Sequence, residues 1–576
     1  MKVYIILNIC LIFIASLDDN SVDREIKYKI INYPLSSFES NEDKFDPNLQ
    51  LSEGNTIIEL ESEFIITQIS WTKKENYKYN YLLGVFEVSN NPTFEDGIPI
   101  AIIKEQGDLN TINYIDINSP TSYKYLRYIP PNKNNTQIFP IKLFGHQKVL
   151  NENNEDKKLF QVTNLPLVLI HTENSTEPTN NDEDVNCTIT LINNGAIENF
   201  DTAEIKVRGR SSAGAPKKPY RIKFSSKQKI LNFKGKEKKW TLLANYYDRS
   251  LLRNALAFKI SELLEFPFSP RCQPVDVIFN GNFRGNYFIC DKIDVISKNR
   301  LNITEMQVTD NSEPNITGGY LLEIDARSGG RRNGEVTQNY IFRTDGGIKG
   351  QIILPKNDEL TPEQEYYIKD KLNQFESEIY NGTLDSIDLE SYSKLFIVEE
   401  FCADPDHTFS SLYFTKERND DKFRFGPVWD FDLGLDNDRR LIPTNEKPEF
   451  SFNYGDSAGT FRELVKALLA NREVIEYIYN TWIELCNTVL NETVLIDFLE
   501  EKRIYMKESS ELNFMKWDNY VEENRRGRGR GGGGWGFGFG RKGEDFDTSV
   551  EVVKDYVRGR FDSLTILLQK AVSLSN

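Results

Sequence analysis

Histidine is nearly absent from this chain: there are three in 576 residues, His146, His171 and His407. Cysteine is scarce as well, six in all, with no Cys-x-x-Cys and no Cys/His cluster. Zinc sites and histidine-based triads are built from those residue types, so both have almost no material here. The phosphate loop GxxxxGK[ST] is missing, and so is a regular GxGxxG, which removes the two commonest glycine-rich nucleotide signatures. Beyond the first residues no apolar run is long enough to predict a spanning helix. Positive charge is in deficit, 70 Lys and Arg against 87 Asp and Glu, for a net charge of −17. An acidic surface argues against nucleic acid as a bulk partner and suits a soluble protein or one that meets basic substrates.

What is present supports two or three folded domains, because the chain is too long for one and 39% of it is hydrophobic, with 12% aromatic. The opening MKVYIILNICLIFIAS carries one Lys and an apolar run that stops at Asp18 and Asp19. That is signal-peptide length, residues 1–17, with an uncleaved anchor as the alternative. A secreted, extracellular or cell-surface protein is expected, with no transmembrane segment after removal of the leader. Seven Asn-x-Ser/Thr sequons, at Asn134, Asn174, Asn186, Asn302, Asn315, Asn381 and Asn491, agree with export. Losing Cys10 with the leader leaves Cys187, Cys272, Cys290, Cys402 and Cys486, an odd number that keeps at least one thiol unpaired within the chain.

Residues 20–150 hold short alternating runs, EFIITQISW, YLLGVFEVS, IPIAIIKE, INYIDIN, KYLRYIPP and FPIKLFG, separated by turn clusters. Such spacing predicts an all-β sandwich. The order of these runs resembles a discoidin, or F5/8 type C, module, a galactose-binding-like jelly roll. That resemblance implies contact with glycans or a cell-wall surface through loops at one end, a spacer without a ligand being the alternative. The polar stretch 151–160 reads as a linker, and LPLVLIHTEN as the buried strand opening the second domain, residues 164–576.

Two acidic segments carry the chemistry. ADPDHTFSSLYF sets Asp406 in a loop, and 24 residues later GPVWDFDLGLD places Asp430 and Asp432 after a strand marked by Phe423, Phe425, Val428 and Trp429. Phosphoryl transfer needs one carboxylate to orient and deprotonate an acceptor hydroxyl and another to hold Mg²⁺ on the phosphates. Ser411 lies five residues after Asp406, the offset at which protein kinases place a metal-binding Asn. A pair of solvated turn aspartates before Gly434 is the bland alternative. Upstream, RGRSSAGAPKK joins two strands between Ile205 and Phe224, and its glycine amides with Arg208, Arg210, Lys217 and Lys218 suit polyphosphate, or else form a basic hairpin in water. Residues 248–265 read as a helix with Asp248 as N-cap, followed by a hairpin through Asn280-Gly281. The Gly/Arg-rich stretch 525–543 has no core-forming capacity and is expected to be a flexible insertion between helices.

The acidic segments, together with IKVRGRSSAGAPKKPYRIKF, WTLLANYYDRSLLRNALAFKIS, VDVIFNGNFRGNYFICDKID and GGYLLEID, resemble in order the blocks of the CotH kinase family, the spore-coat protein H group of atypical secreted kinases. The resemblance spans roughly residues 164–576. It implies an α+β, atypical protein-kinase-like fold behind the sandwich, with ATP and Mg²⁺ or Mn²⁺ as cofactors. It also implies transfer of the γ-phosphate to Ser or Thr of protein substrates. Asp406 takes the place of the catalytic Asp, Asp430, Asp432 and Ser411 that of the metal ligands, and Lys218 or Lys223 that of the phosphate-pairing Lys. Cys290, Asp291 and Glu323 are hinge or nucleotide candidates, with ordinary strand-end carboxylates as the alternative for the two acids. Two departures stand out: Asp291 where the family more often has Glu, and Asp404 where it commonly has Asn. A non-catalytic surface adhesin or glycan-binding protein on the same scaffold is the second reading. A glycan-active hydrolase using the same aspartates is a third, with no other support in the chain.

Overall fold

The structure is a computed structural model. It describes residues 22–31, 56–72, 81–119, 121–131, 141–147, 159–297, 300–328, 331–332, 335–336, 340–438, 449–453, 461–527 and 545–575. The expected leader, 1–17, and the Gly/Arg-rich insertion beyond Gly527 lie outside the described residues.

Alternation in the front part produces the strands it predicts: Thr56–Thr72, Val85–Ser89, Ile98–Ile102, Ile112–Asp116, Tyr123–Ile129 and Ile141–His146, with Arg24–Glu25 and Tyr28–Ile31 before them. The longest, Thr56–Thr72, serves two sheets. Its first half pairs with Tyr28–Ile31 and Tyr123–Ile129, its second with Ile112–Asp116 and Ile141–His146. A register break between Glu59 and Phe64 lets the strand turn from one layer to the other. Ile58, Leu60, Phe64, Ile69 and Trp71 from this strand fill the core of the sandwich.

Next comes a closed barrel of seven strands. In order around it these are Leu167–Thr172, Val185–Asn193, Ala196–Val207, Tyr220–Gln228, Glu237–Leu243, Asn282–Asp291 and Cys272–Phe279. The parallel pairing of Leu167–Thr172 with Cys272–Phe279 closes it, which leaves no open edge. Ile205, Tyr220, Ile222, Trp240, Val277 and Ile289 are among the residues that pack its interior. The hairpin turn at Asn280 and Gly281 puts both residues at positive φ, 48° and 76°, the conformation for which Asn-Gly is favoured. A side chain at Gly281 would collide with Ile129 and approach Glu87, so this turn is seated directly on the sandwich. Leu83, Val85 and Ile102 of the sandwich share one apolar cluster with Leu167, Leu169, Ile278 and Phe283 of the barrel and Leu512 of a later helix. Val162 belongs to that cluster, and Thr163 donates to the buried Asp276 carboxylate at 2.6 Å. Chain that reads as linker is therefore packed from Leu159 onward, on both sides of the expected domain start at 164.

A five-stranded antiparallel sheet follows, in the order Ile341–Arg343, Lys349–Leu354, Tyr320–Ile324, Leu412–Lys416 and Phe423–Phe425. Helices Arg253–Leu263, Pro362–Tyr380, Leu389–Cys402, Arg462–Ala470, Arg472–Thr488, Glu492–Gly527 and Phe546–Leu574 accompany it. They share the largest core of the molecule with the sheet. Helix Pro362–Tyr380 starts with Pro at its first position and a Thr361/Gln364 capping box, as its sequence dictates. Helix Arg253–Leu263 begins later than expected, and Asp248 is not its N-cap residue. Leu251 sits at φ 58°, which breaks the helical path, and Asp248 reaches across the break to accept the backbone N–H of Arg253 at 2.9 Å. Among the described residues no helix is long and apolar enough to cross a membrane. The architecture is thus an all-β sandwich followed by an α+β region.

Candidate active site

Helix Leu389–Cys402 delivers the loop that holds Asp406. It ends at Ala403, whose φ of 48° gives the left-handed cap that turns the chain sharply. The Asp406 carbonyl accepts from the backbone N–H groups of Phe409 (2.7 Å) and Ser410 (3.0 Å), closing a tight turn. Ser410 Oγ donates to Asp406 Oδ2 at 3.3 Å and itself accepts from Arg327 at 2.7 Å. Below the loop the Glu400 carboxylate accepts from the Ser451 amide at 2.7 Å, its carbonyl is held by Arg560 at 3.0 Å, and His407 lies 3.5 Å from it. These buried bonds fix the floor on which Asp406 stands, half-exposed.

The second acidic segment is held by helix Arg253–Leu263. Its strand ends at Phe425, four residues earlier than the apolar residues predict, yet Val428 and Trp429 stay buried and Trp429 stacks on Phe258 at 5.6 Å. Asp430 is exposed and takes φ 73°, an uncommon conformation for a residue with a side chain and one that clusters at functional sites. Ser411 Oγ donates to Asp430 Oδ2 at 3.2 Å. The Phe431 amide donates to Asn254 at 2.8 Å, and Arg253 donates to the carbonyls of Gly434 (3.1 Å) and Leu435 (3.2 Å). Arg253 is itself neutralised by Asp248 at 2.5 Å.

Electrostatics tie the two segments together. Burial, then the charges of Asp430, Asp248 and Asp406, push the Asp432 carboxyl well above the ordinary carboxylate range, with Arg253 opposing. Burial, then Glu399, Asp406 and Asp430, do the same to Asp404. Glu399, buried and next to Glu400 and Asp406, rises to about 7 although His407 pulls it down. Glu323 also rises to about 7, chiefly through burial, with Asp325 and Asp430 adding to the shift and the Tyr413 hydroxyl and Arg210 resisting it. That value lies above the unfolded-state one, so the stability Glu323 contributes is complete below the unfolded pKa and is lost as pH rises through about 7. Glu323→Gln stays neutral and keeps an amide oxygen for Tyr413, 2.8 Å away. It is expected to flatten the decline of melting temperature between about pH 5 and pH 8. Equal slopes for variant and wild type would assign that titration to another group.

Two arginines reach this region from the end of the barrel strand Ala196–Val207, and the charge of Arg210 acts on Glu323. Arg208 lies over the Trp429 ring at 5.2 Å, and Arg210 pairs with Asp325 at 2.5 Å. The structure thus brings Asp406, Asp430, Asp432, Ser411, Glu323, Arg208 and Arg210 into one neighbourhood, linked pairwise by charge, ring contact or hydrogen bond. It does not bring the remaining candidates there. Lys218 donates to Ala213 within its own loop at 2.8 Å. Lys223 stands on the outer face of the barrel, paired with Glu204 at 2.7 Å, because its neighbours Ile222 and Phe224 fill the interior. Lys217 is buried beneath the loop, donating to Ala244 and Asn513 at 2.8 Å each. Asp291 is enclosed by Arg271 (2.7 Å) and Arg300 (3.0 Å) and its neighbour Cys290 is buried in the core. Sequence reasoning missed Asp325, although the Glu-x-Asp alternation in GGYLLEID puts it on the face of Glu323. Gln351 donates to both, at 3.1 and 3.0 Å.

Among the described residues no three His, Cys, Asp or Glu side chains form a ready metal cage. The donors around Asp430 still fit Mg²⁺ or Mn²⁺, since Mg²⁺ is usually held by one or two carboxylates with water and phosphate oxygens completing its shell. The like charges that raise Asp432 are those a divalent ion would offset.

The profile of the CotH kinase protein family matches residues 205–564, more than half of the chain. No curated protein matches it. Among solved structures, the CBM62 from Clostridium thermocellum Xyl5A is 24% identical over 16% of this chain and 71% of that one, with a TM-score of 0.15. A truncated AlyQ with CBM32 and alginate lyase domains is 12% identical over 35% of this chain and 54% of that one, with a TM-score of 0.16. At such scores neither likeness bears on fold or ligand.

Proposed function

The chain belongs to the CotH kinase protein family, and on that premise we propose that it is a secreted protein kinase. It transfers the γ-phosphate of ATP to Ser or Thr hydroxyls of extracellular or surface proteins. The observation that carries this reading is that Asp406 and Asp430 both act on the Asp432 carboxyl, while the charges of Asp430 and Arg210 meet at Glu323 and Arg208 lies over Trp429, the residue before Asp430. Phosphoryl transfer is catalysed chiefly by positioning and charge, and both signs of charge are required. Arg208 and Arg210 bind phosphate oxygens. Asp430 and Asp432 hold Mg²⁺ or Mn²⁺, which when bound neutralises charge on the phosphates. Asp406 orients the acceptor hydroxyl and takes its proton as the oxygen attacks the γ-phosphorus and ADP leaves.

Asp404 fits this scheme despite its departure from the family's Asn. Burial and its carboxylate neighbours hold its carboxyl well above the ordinary range, which favours the protonated form, an O–H donor beside an acceptor oxygen where Asn has an amide NH2 beside a carbonyl. Asp404→Asn is accordingly expected to leave transfer within about threefold of wild type, whereas a drop of about tenfold or more would mean that an ionised Asp404 is needed.

The leader-like first 17 residues support secretion, and the sandwich, built as its own two-layer core, supports a role in bringing residues 164–576 to a glycan or cell-wall surface. The deciding experiment is an incubation of the purified secreted form with γ-labelled ATP and Mg²⁺ or Mn²⁺. Metal-dependent label on Ser or Thr of the protein itself is the expected result. Absence of label with either metal, alongside retained glycan binding, would replace the kinase by a non-catalytic surface protein.

A further inference from the structure

The cysteines described, Cys187, Cys272, Cys290, Cys402 and Cys486, carry free thiols. Two of them face each other. Cys272 opens the strand Cys272–Phe279, Cys290 is the penultimate residue of Asn282–Asp291, and the two are direct partners in the antiparallel register. The next pair along fixes the geometry between them. The Asp291 amide donates to the Arg271 carbonyl at 3.1 Å, so Arg271 and Asp291 form a hydrogen-bonded pair and Cys272 and Cys290 the non-hydrogen-bonded pair beside it. Opposed Cα atoms in such pairs are about 4.5 Å apart, with side chains at their closest, which lies within the range of about 4.4–6.8 Å that a disulfide spans. Both side chains leave the same face of the ribbon: Cys290 enters the largest core and Cys272 packs at its rim, while Ile289 points into the barrel. Cys290 Sγ donates to the Phe288 carbonyl at 3.7 Å, and Cys272 is close enough to act on its titration. By contrast, Cys187 faces Thr172 and Ala203 on its two ladders.

We propose that Cys272 and Cys290 are an oxidisable pair that closes into a cross-strand disulfide, with a small-molecule or protein disulfide as oxidant. The half-buried Cys272 is the sulfur an oxidant can reach. Its thiolate attacks the oxidant RSSR, expelling one RS⁻ and leaving a mixed disulfide. Cys290 then gives up its proton and its sulfur displaces the second RS⁻. Two protein thiols and RSSR become one protein disulfide and two RSH, so the oxidant takes both electrons. Burial holds the Cys290 thiol well above its ordinary range, which makes the second displacement the slow one. The bond would tie the barrel hairpin at the end where the chain leaves for the second sheet, beside the Arg271–Asp291–Arg300 cluster. Arg208 is close enough for its charge to act on Cys290.

The inference does not depend on phosphotransfer and is tested without it. The full chain, reduced and then incubated with glutathione disulfide, is denatured, alkylated, digested and analysed by mass spectrometry. The expected result is a single linked pair of peptides joining Cys272 to Cys290, reversed by dithiothreitol and accompanied by a melting temperature several degrees higher. Cys272→Ser and, separately, Cys290→Ala should each abolish both the link and the thermal shift. Recovery of both cysteines as alkylated thiols, capture of either by glutathione alone, or a link from either to Cys187, Cys402 or Cys486 would overturn the assignment.

Discussion

Asp406→Asn is expected to lower phosphate transfer by about a hundredfold or more, with ATP affinity held within about twofold. The substitution keeps volume and shape. The turn survives it, since the amides of Phe409 and Ser410 bond to the main-chain carbonyl of residue 406, which the change does not touch. Ser410 Oγ can still donate to the side-chain oxygen that replaces Oδ2, and the bonds of the floor join Glu400 to Ser451 and Arg560. What is lost is a group able to accept the acceptor's proton. A carboxamide is not a base in water, so the defect should fall on the chemical step at saturating ATP. Rapid-quench transfer rates alongside equilibrium nucleotide binding separate the two. Undiminished transfer would remove Asp406 from the mechanism, while a parallel loss of ATP affinity would make it part of the nucleotide site.

Much of the architecture is legible in the chain because local pattern and final environment agree. Strands buried on one face, such as Ile141–His146 and the first half of Thr56–Thr72, must alternate, and their sequences do. The Asn280-Gly281 turn and the Thr361 capping box are local chemistry that does not wait on tertiary structure. The clearest misreading also has a local cause. In FRFGPVW the apolar phase slips between Phe425 and Val428, and a strand cannot continue through such a slip with both residues inward; the chain leaves the sheet at Phe425 and buries Val428 and Trp429 by another route. Lys223 yields to the same rule. In YRIKF the alternate residues Tyr220, Ile222 and Phe224 are the apolar ones, so a lysine between them belongs on the outer face, whatever its analogy to a kinase lysine.

Contacts between distant segments are another matter. Closing the barrel requires Leu167–Thr172 to lie parallel to Cys272–Phe279, and no periodicity announces a partner so far along the chain. Nor does sequence reveal that Lys217 rather than Lys218 is the buried strut, because that depends on Asn513 arriving from helix Glu492–Gly527. The residues clamping the second acidic segment, Asp248, Arg253 and Asn254, lie on a helix start some 180 positions earlier. The polar character of Arg253 and Asn254 within the apolar stretch LLRNALAF is the available signal. A buried Arg and Asn at the start of an apolar helix need partners, and here those partners are the main chain around Asp430.

Replacing Asp430 should act on binding, where Asp406→Asn acts on chemistry. Asp430→Ala is expected to reduce the gain in ATP affinity on adding Mg²⁺ by about tenfold or more, because it withdraws a carboxylate from the ion that carries the phosphates. Alanine alone would leave the result ambiguous, since residue 430 sits at φ 73° and a non-glycine residue without a polar side chain is strained there by about 1–2 kcal/mol. Asp430→Asn resolves this. Asn tolerates the left-handed region better and can keep the bond from Ser411 Oγ, so its melting temperature should match wild type while its response to Mg²⁺ falls as in the alanine variant. Both variants also remove the negative charge that helps hold the Asp432 carboxyl up, so Asp432 should titrate at lower pH than in the parent protein, which NMR of the carboxyl carbon can follow. Should wild type and both variants gain equally from Mg²⁺, Asp430 is a strained turn residue and the ion, if one binds, is held elsewhere.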